Sequence, residues 1–175
     1  MAYPTTLNYQ PTSPVAGLQP ITVTSTTQAH PLGTVIRAVD SNYGEGEFIY
    51  LKGVASTTAG DLVVFDAKAG TTTRTVAGTT KTGAIAVAMS ANVASQYGWY
   101  QVGGEAIVNT TSAGTGAANA NLVQTATAGQ ATVGATGANI ISGATCKTAQ
   151  DTPSSGFTQV QLVGPFLSGL TQTQP

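Results

Sequence analysis

The residues able to carry chemistry are few and scattered along this chain of 175 residues. The one histidine, His30, sits between Ala29 and Pro31 in a proline-rich stretch. A general base must be held rigidly beside a nucleophile or an orienting acid. That stretch is a poor mount for one, and His30 reads as a structural or interface residue. Seven carboxylates allow acid–base pairs, and Glu45 and Glu47 would share one face of a strand. A glycosidase-type dyad needs a cleft with sugar-stacking aromatics and burial that tunes its carboxyls; an exposed strand edge is the better account of these two. Cys146 is the single cysteine, so no intrachain disulfide can form. One cysteine and one histidine far apart in the chain cannot complete a zinc site, and Cys146 reads as a small buried hydrophobe.

The run Asp40-Ser41-Asn42-Tyr43-Gly44-Glu45 has the outline of a calcium loop. Its glycine comes one place early, and Leu51 stands where a bidentate Glu is required. It reads instead as a turn built on Asx hydrogen bonding. Gly103-Gly104 and Gly44-Glu45-Gly46 are turn or bulge glycines, because no helix follows to make a phosphate cradle. Asn109-Thr110-Thr111 matches a glycosylation sequon, but without a secretion signal it reads as accidental. The sequence therefore offers no catalytic, cofactor-binding or metal-ligating residues, and a structural or binding role is expected rather than an enzyme.

The elements that must position these residues are read from composition and pattern. Only 7% of residues are charged while 41% are hydrophobic, against about 25% charged in an average soluble protein. Thr, Ala and Gly make up roughly two residues in five. A net charge of -1 with dispersed basic residues gives no footprint for nucleic acid. The longest apolar run, around Ala84 to Met89, falls far short of the ~20 residues that span a bilayer. No partner of either kind is expected. The N-terminus lacks the basic start and apolar core of a signal peptide, which predicts synthesis in a reducing cytoplasm.

Residues 1–32 carry no charge and include Pro4, Pro11, Pro14, Pro20 and Pro31. Proline fixes φ and pushes its predecessor toward extended backbone, so this stretch is an extended arm. Its apolar side chains imply that it lies on its own domain or on a neighbour. Residues 33–175 form a β domain. Candidate strands at 34–39, 47–52, 61–66, 72–76, 84–89, 98–102, 105–109, 122–125, 140–144 and 158–163 recur with turn signals between them, the pattern of a small β-barrel or β-sandwich.

An internal repeat organises that domain. Ala59 to Gly70 matches Ala118 to Gly129 at Ala59, Val64, Ala67, Ala69 and Gly70. Ala84 to Ala88 answers to Ile140 to Ala144, and Tyr97 to Val102 answers to Ser155 to Val160. Three anchors in one order, displaced by roughly 56 to 59 residues, predict two repeated β-units at about 46–105 and 106–163. Phe48, Trp99 and Phe157 are then expected as equivalent core anchors. Charge is confined mostly to the first unit and the turn leading into it, which directs attention to the arm and the second unit as packing surfaces.

The run from Tyr43 through Gly46-Glu47-Phe48-Ile49-Tyr50-Leu51-Lys52-Gly53-Val54-Ala55, followed by Ala59-Gly60-Asp61-Leu62-Val63-Val64-Phe65, resembles the head decoration (capsid cement) proteins of tailed bacteriophages. So does Ile85-Ala86-Val87-Ala88-Met89-Ser90 leading into Gln96-Tyr97-Gly98-Trp99-Tyr100-Gln101-Val102-Gly103-Gly104. The resemblance covers about residues 43 to 110 well and the second repeat loosely. It implies a β-rich structural virion protein, a homo-oligomer with the trimer favoured, that binds the major capsid protein on the outer face of the shell. Localisation would be the capsid surface, after synthesis in the host cytoplasm. Family members often reach the shell with an N-terminal segment, which makes Tyr3, Leu7, Tyr9 and Ile21 the candidate partner contacts. Two other readings remain open. A tail, fibre or adhesin module would bind a host-surface glycan through Trp99, Tyr97 and Tyr100; a cell-wall hydrolase would need a catalytic role for Glu105 or Asp61.

Overall fold

The computed structural model describes residues 7–12, 18–78, 82–111, 117–134, 139–147 and 156–167. Its regular elements are all strands: β1 (Gln10–Pro11), β2 (Val35–Asp40), β3 (Gly44–Lys52), β4 (Leu62–Asp66), β5 (Thr71–Arg74), β6 (Gly83–Ala88), β7 (Tyr97–Asn109), β8 (Asn121–Gln124), β9 (Ala131–Val133), β10 (Ile140–Cys146) and β11 (Phe157–Leu167). The all-β class expected from the spacing of β-branched runs is the one observed. Two expected strands, 98–102 and 105–109, are a single strand β7. Gly103-Gly104 does not turn the chain there; Gly104 adopts φ +87 within the strand. The pairing with β3 slips close by, between Glu47 and Phe48, so the pair acts as a bulge rather than a turn.

The strands close into two rings that share β7. In the first, β4 and β5 form an antiparallel hairpin, β4 pairs with β6, β6 with β7 and β7 with β3. Parallel pairing of Lys52 on β3 with Thr71 on β5 shuts the ring. In the second, β8 and β9 form the hairpin, β8 pairs with β10, β10 with β11 and β11 with β7. Here the parallel closure is Thr110, just beyond β7, against Ala131. The order and sense of pairing are the same in both. β7 is the last strand of one unit and the first of the next, so the border between the repeats falls within a strand.

The two hairpins also agree in detail. Val64 faces Thr73 in one and Val123 faces Thr132 in the other, at the same displacement. Asp66 Oδ1 accepts the Lys68 N–H at 2.8 Å, and Thr125 Oγ1 accepts the Thr127 N–H at 3.2 Å. Each turn then passes through a glycine with positive φ, Gly70 at +65 and Gly129 at +80, which is why those two glycines anchor the sequence repeat.

Three apolar clusters follow from these pairings. Ile49, Leu51, Val63, Ala86, Ala88 and Tyr100 fill the first ring. A larger cluster includes Ala106, Val108, Leu122, Ile141, Cys146, Val160 and Leu162 of the second unit, together with Leu62, Ile85 and Val87 of the first. The third lies on the outer face of β3 and β7, where Phe48, Tyr50 and Trp99 meet Tyr9 and Ile21 of the arm. Covered on both faces, β3 reads as the unbroken apolar run Phe48 to Leu51 instead of alternating.

That third cluster alters the expectation for the aromatic anchors. Phe48 and Trp99 are fully buried, but beneath the arm and outside the ring. Phe157, on β11, is half-buried, with its ring beside Gly60. Two of the three are core anchors, and they serve the arm; Phe157 is not a third equivalent.

Candidate interaction surface

The arm is fastened to the β domain at several points along its length. Near its start, Asn8 donates its N–H to Asp40 Oδ2 at 2.8 Å. Asp40 Oδ1 accepts the N–H groups of Asn42 at 2.7 Å and Tyr43 at 3.2 Å, the Asx turn expected at 40–45. Burial works to raise the Asp40 pKa, but the three N–H donors from Asn42, Asn8 and Tyr43 outweigh it and hold the carboxyl below its ordinary 3.8. β1 adds to the free edge of β2 through Gln10 and Pro11. Thr12 donates its N–H to Arg37 O at 3.1 Å. Gln10 and Thr12 thus turn toward β2, and Pro11 presents to the outside a nitrogen that carries no hydrogen. An edge ended this way offers further strands no donor at that position.

The main fastening is Gln19, 7% exposed. Its N–H donates to His30 Nε2 at 3.1 Å, and its carbonyl accepts the Trp99 indole N–H at 2.9 Å. Its side-chain oxygen accepts the Tyr50 hydroxyl at 2.7 Å, and Nε2 donates to the carbonyls of Val23 at 2.6 Å and Tyr97 at 3.0 Å. The whole hydrogen-bonding capacity of the amide side chain's nitrogen is used, and one residue ties two passes of the arm to β3 and β7. The rings of His30, Tyr50 and Trp99 close around it, with centroids 5.0–5.4 Å apart. His30 is a structural residue in this setting. Nothing in the sequence marks Gln19: a glutamine before a proline in an uncharged arm carries no motif.

The candidate contacts on the arm fall unequally. Tyr9 and Ile21 are buried against the chain's own β3–β7 face, and Leu7 is half-buried there; Tyr3 lies outside the described residues. Tyr9 also donates its hydroxyl to Glu105 O at 3.3 Å, and burial, then the charge of Asp40, pushes its pKa well up. In this conformation these side chains hold the arm down. Each buried aliphatic side chain stabilises that docking by about 1.5–3 kcal/mol. What the arm leaves open is a groove of about 340 Å³ whose lining includes Leu7, Pro11, Leu18 and Pro20. Exposed apolar side chains elsewhere include Val35 and Val39 on β2, and Val163 and Phe166 on β11.

The carboxylates are engaged within the fold. Asp61, fully buried, accepts the Thr58 N–H and hydroxyl, Arg74 Nε and Asn109 Nδ2, each at 3.0 Å. Arg74 Nη2 reaches on to Ala128 O at 2.6 Å, so the cluster joins the two units. Asn109 of the sequon is one of its members and also accepts from Gln130 at 3.2 Å. Glu105, 8% exposed, meets Lys147 and Gln159. Glu45 and Glu47 flank Arg37 at 3.7 and 3.6 Å. They do share a face, but β3 pairs on both sides there, with β2 and β7, so the expected strand edge is an exposed face of an interior strand. Together with Gly46, Gly103 and Gly104 these three charged side chains line a shallow depression of about 230 Å³. Among the described residues, no three His, Cys, Asp or Glu side chains gather into a metal-binding group.

The aromatic residues proposed for glycan stacking are inside the molecule: Trp99 and Tyr100 are fully buried, and Tyr97 is half-buried and stacked on Tyr50. No protein-family model, curated protein or solved structure matches this chain.

Proposed function

We propose that this protein decorates the head of a tailed bacteriophage, binding the major capsid protein on the outside of the assembled shell and stabilising it as a homo-oligomer, with the trimer favoured. The observation that carries this reading is that the segment resembling cement proteins, residues 43 to 110, coincides with one complete ring, β3 to β7, rather than cutting across elements. The site inventory supports a non-enzymatic role, since Asp61 and Glu105 are both buried and engaged by neighbouring donors. The shell would be met by the outer side of the arm, with its apolar groove, and by the exposed Val163 and Phe166 of the sparsely charged second unit.

Binding only to the assembled shell stabilises it by RT ln(1 + [L]/Kd). Repetition over a symmetric lattice, with several sites engaged per oligomer, multiplies a modest affinity. The test is to add purified protein to shells that lack it, counting bound copies and measuring the shell's melting temperature. Saturable binding with a raised melting temperature is expected, weakened by Val163→Asp and Phe166→Asp. Shells that bind no protein at concentrations well above its own oligomerisation threshold would overturn the proposal.

A further inference from the structure

The outer face of β7, β10 and β11 brings together three functional groups that the proposed decoration role does not use. Backbone register alone places them. Glu105 on β7 lies opposite Gln161 on β11, and Gln159, two residues earlier, points the same way. Lys147 follows β10 and donates its N–H to Gln159 O at 2.9 Å, so Lys147 and Gln159 are cross-strand neighbours. The side chains converge on the carboxylate: Lys147 Nζ donates to Glu105 Oε2 and Gln159 Nε2 to Glu105 Oε1. Glu105 is 8% exposed, whereas the Lys147 side chain is 49% exposed. An amine and a primary carboxamide are thereby held on either side of one shielded carboxylate.

We propose that Lys147 and Gln159 form an intrachain amide cross-link, with Glu105 carrying the proton. Glu105 takes a proton from the Lys147 ammonium, and the freed lone pair adds to Gln159 Cδ. A half-turn of the carboxamide sets its carbonyl oxygen against the protonated Glu105, which steadies the charge developing on that oxygen. The bond from Cδ to the carboxamide nitrogen then breaks. The attacking nitrogen gives up its second proton to the departing group, which leaves as ammonia and takes up the proton held by Glu105. Glu105 ends ionised as it began, nothing is oxidised or reduced, and no co-reactant is needed. Proximity is the principal catalytic contribution, since cross-strand pairing makes the reaction intramolecular. The product would staple β10 to β11 at a place where both strands belong to the second ring.

The experiment is intact-mass measurement of the denatured full-length chain, followed by peptide mapping. The expected result is a mass lower by one ammonia, no tryptic cleavage after Lys147, and, after a second proteolytic cut at Asp151 between the two residues, a branched peptide joining Lys147 to Gln159. K147R keeps the charge at a half-exposed position and is expected to have the full mass, as is E105Q; thermal unfolding of each variant checks that it is folded. A wild-type chain of full mass after prolonged incubation overturns the proposal. An ammonia loss that persists in K147R overturns it as well, as does loss of one water with a branch to Glu105. Ammonia loss surviving in folded E105Q overturns the role of Glu105.

Discussion

Replacing Gln19 by alanine tests the arm's fastening most directly, because its effect can be worked out group by group. The substitution deletes one acceptor and one doubly used donor. The Tyr50 hydroxyl, fully buried, loses the oxygen to which it donates and keeps only the incoming Ala29 N–H at 3.1 Å. Tyr97 O retains the Ser25 N–H at 3.0 Å, and Val23, 47% exposed, can turn its carbonyl to water. The net loss is one orphaned buried donor, about 1–3 kcal/mol, or about one to two powers of ten in the equilibrium between docked and undocked arm. Trp99 is the only tryptophan, and its indole lies under Gln19, so its emission reports on the arm and far-UV dichroism on the sheet. In Gln19→Ala, Trp99 should redden and become quenchable by acrylamide at lower denaturant than the sheet unfolds. Tyr50→Phe should do the same, and the double variant should cost less than the sum of the two, since both remove one interaction. If Trp99 in Gln19→Ala stays as protected as in the unaltered protein, up to the global transition, the reasoning about this fastening is wrong.

Other consequences follow from the buried charges and phenols. Asp40 has a depressed pKa, so the stability it contributes is full above its ordinary 3.8 and is lost as pH falls through the lower folded value. The protection of the Asn8 amide against exchange, taken relative to the intrinsic rate at each pH, should fall below about pH 4, and Asp40→Asn should remove that step. Asp61 is fully buried while the Arg74 side chain is 24% exposed and keeps Ala128 O. Asp61→Ala therefore leaves chiefly the Thr58 and Asn109 donors without their acceptor and should lower unfolding free energy by about 1–3 kcal/mol in chemical denaturation; no measurable loss would refute the cluster's role in joining the units. Burial, above the opposing hydrogen bonds from Thr72 and Asn92, pushes Tyr100 up to about 12 from its ordinary 10.0. A raised pKa stabilises the fold fully below pH 10 and loses that contribution as pH climbs toward 12, so alkaline titration followed at the phenolate band should show Tyr100 ionising late, together with loss of the sheet.

The strands were legible where chemistry and geometry agree. Runs such as Ile85-Ala86-Val87-Ala88 can be little else between glycine and polar turns, and the repeat was visible because Gly70 and Gly129 both occupy positions that need positive φ. What escaped had physical causes. β9 is only Ala131–Val133, and it owes its pairing to β8 and to the chain beyond β7, contacts that no local pattern records. In sequence β7 reads as two strands, because glycine signals a turn and a bulge alike. The Gln19 fastening and the structural role of Asp61 with Arg74 are not legible in the sequence because their partners come from distant segments, Tyr50, Trp99 and Ala128 among them. The side of the sheet on which the arm would lie was also undetermined, since β3 and β7 offer apolar side chains to both faces.

The shared strand governs how the molecule would behave under tension. Two domains joined by a linker part at the linker, and two packed domains part at their interface. Here a pull between the arm end and the second unit runs along the covalent backbone of β7, whose first stretch is laced to β3 from Tyr97 to Gly104 and whose second is laced to β11 from Gly103 to Asn109. Antiparallel lacing loaded along its length must break many hydrogen bonds together instead of unzipping one at a time. The chain therefore has no soft joint at its middle, and stretching should produce one abrupt rupture in place of a stepwise extension.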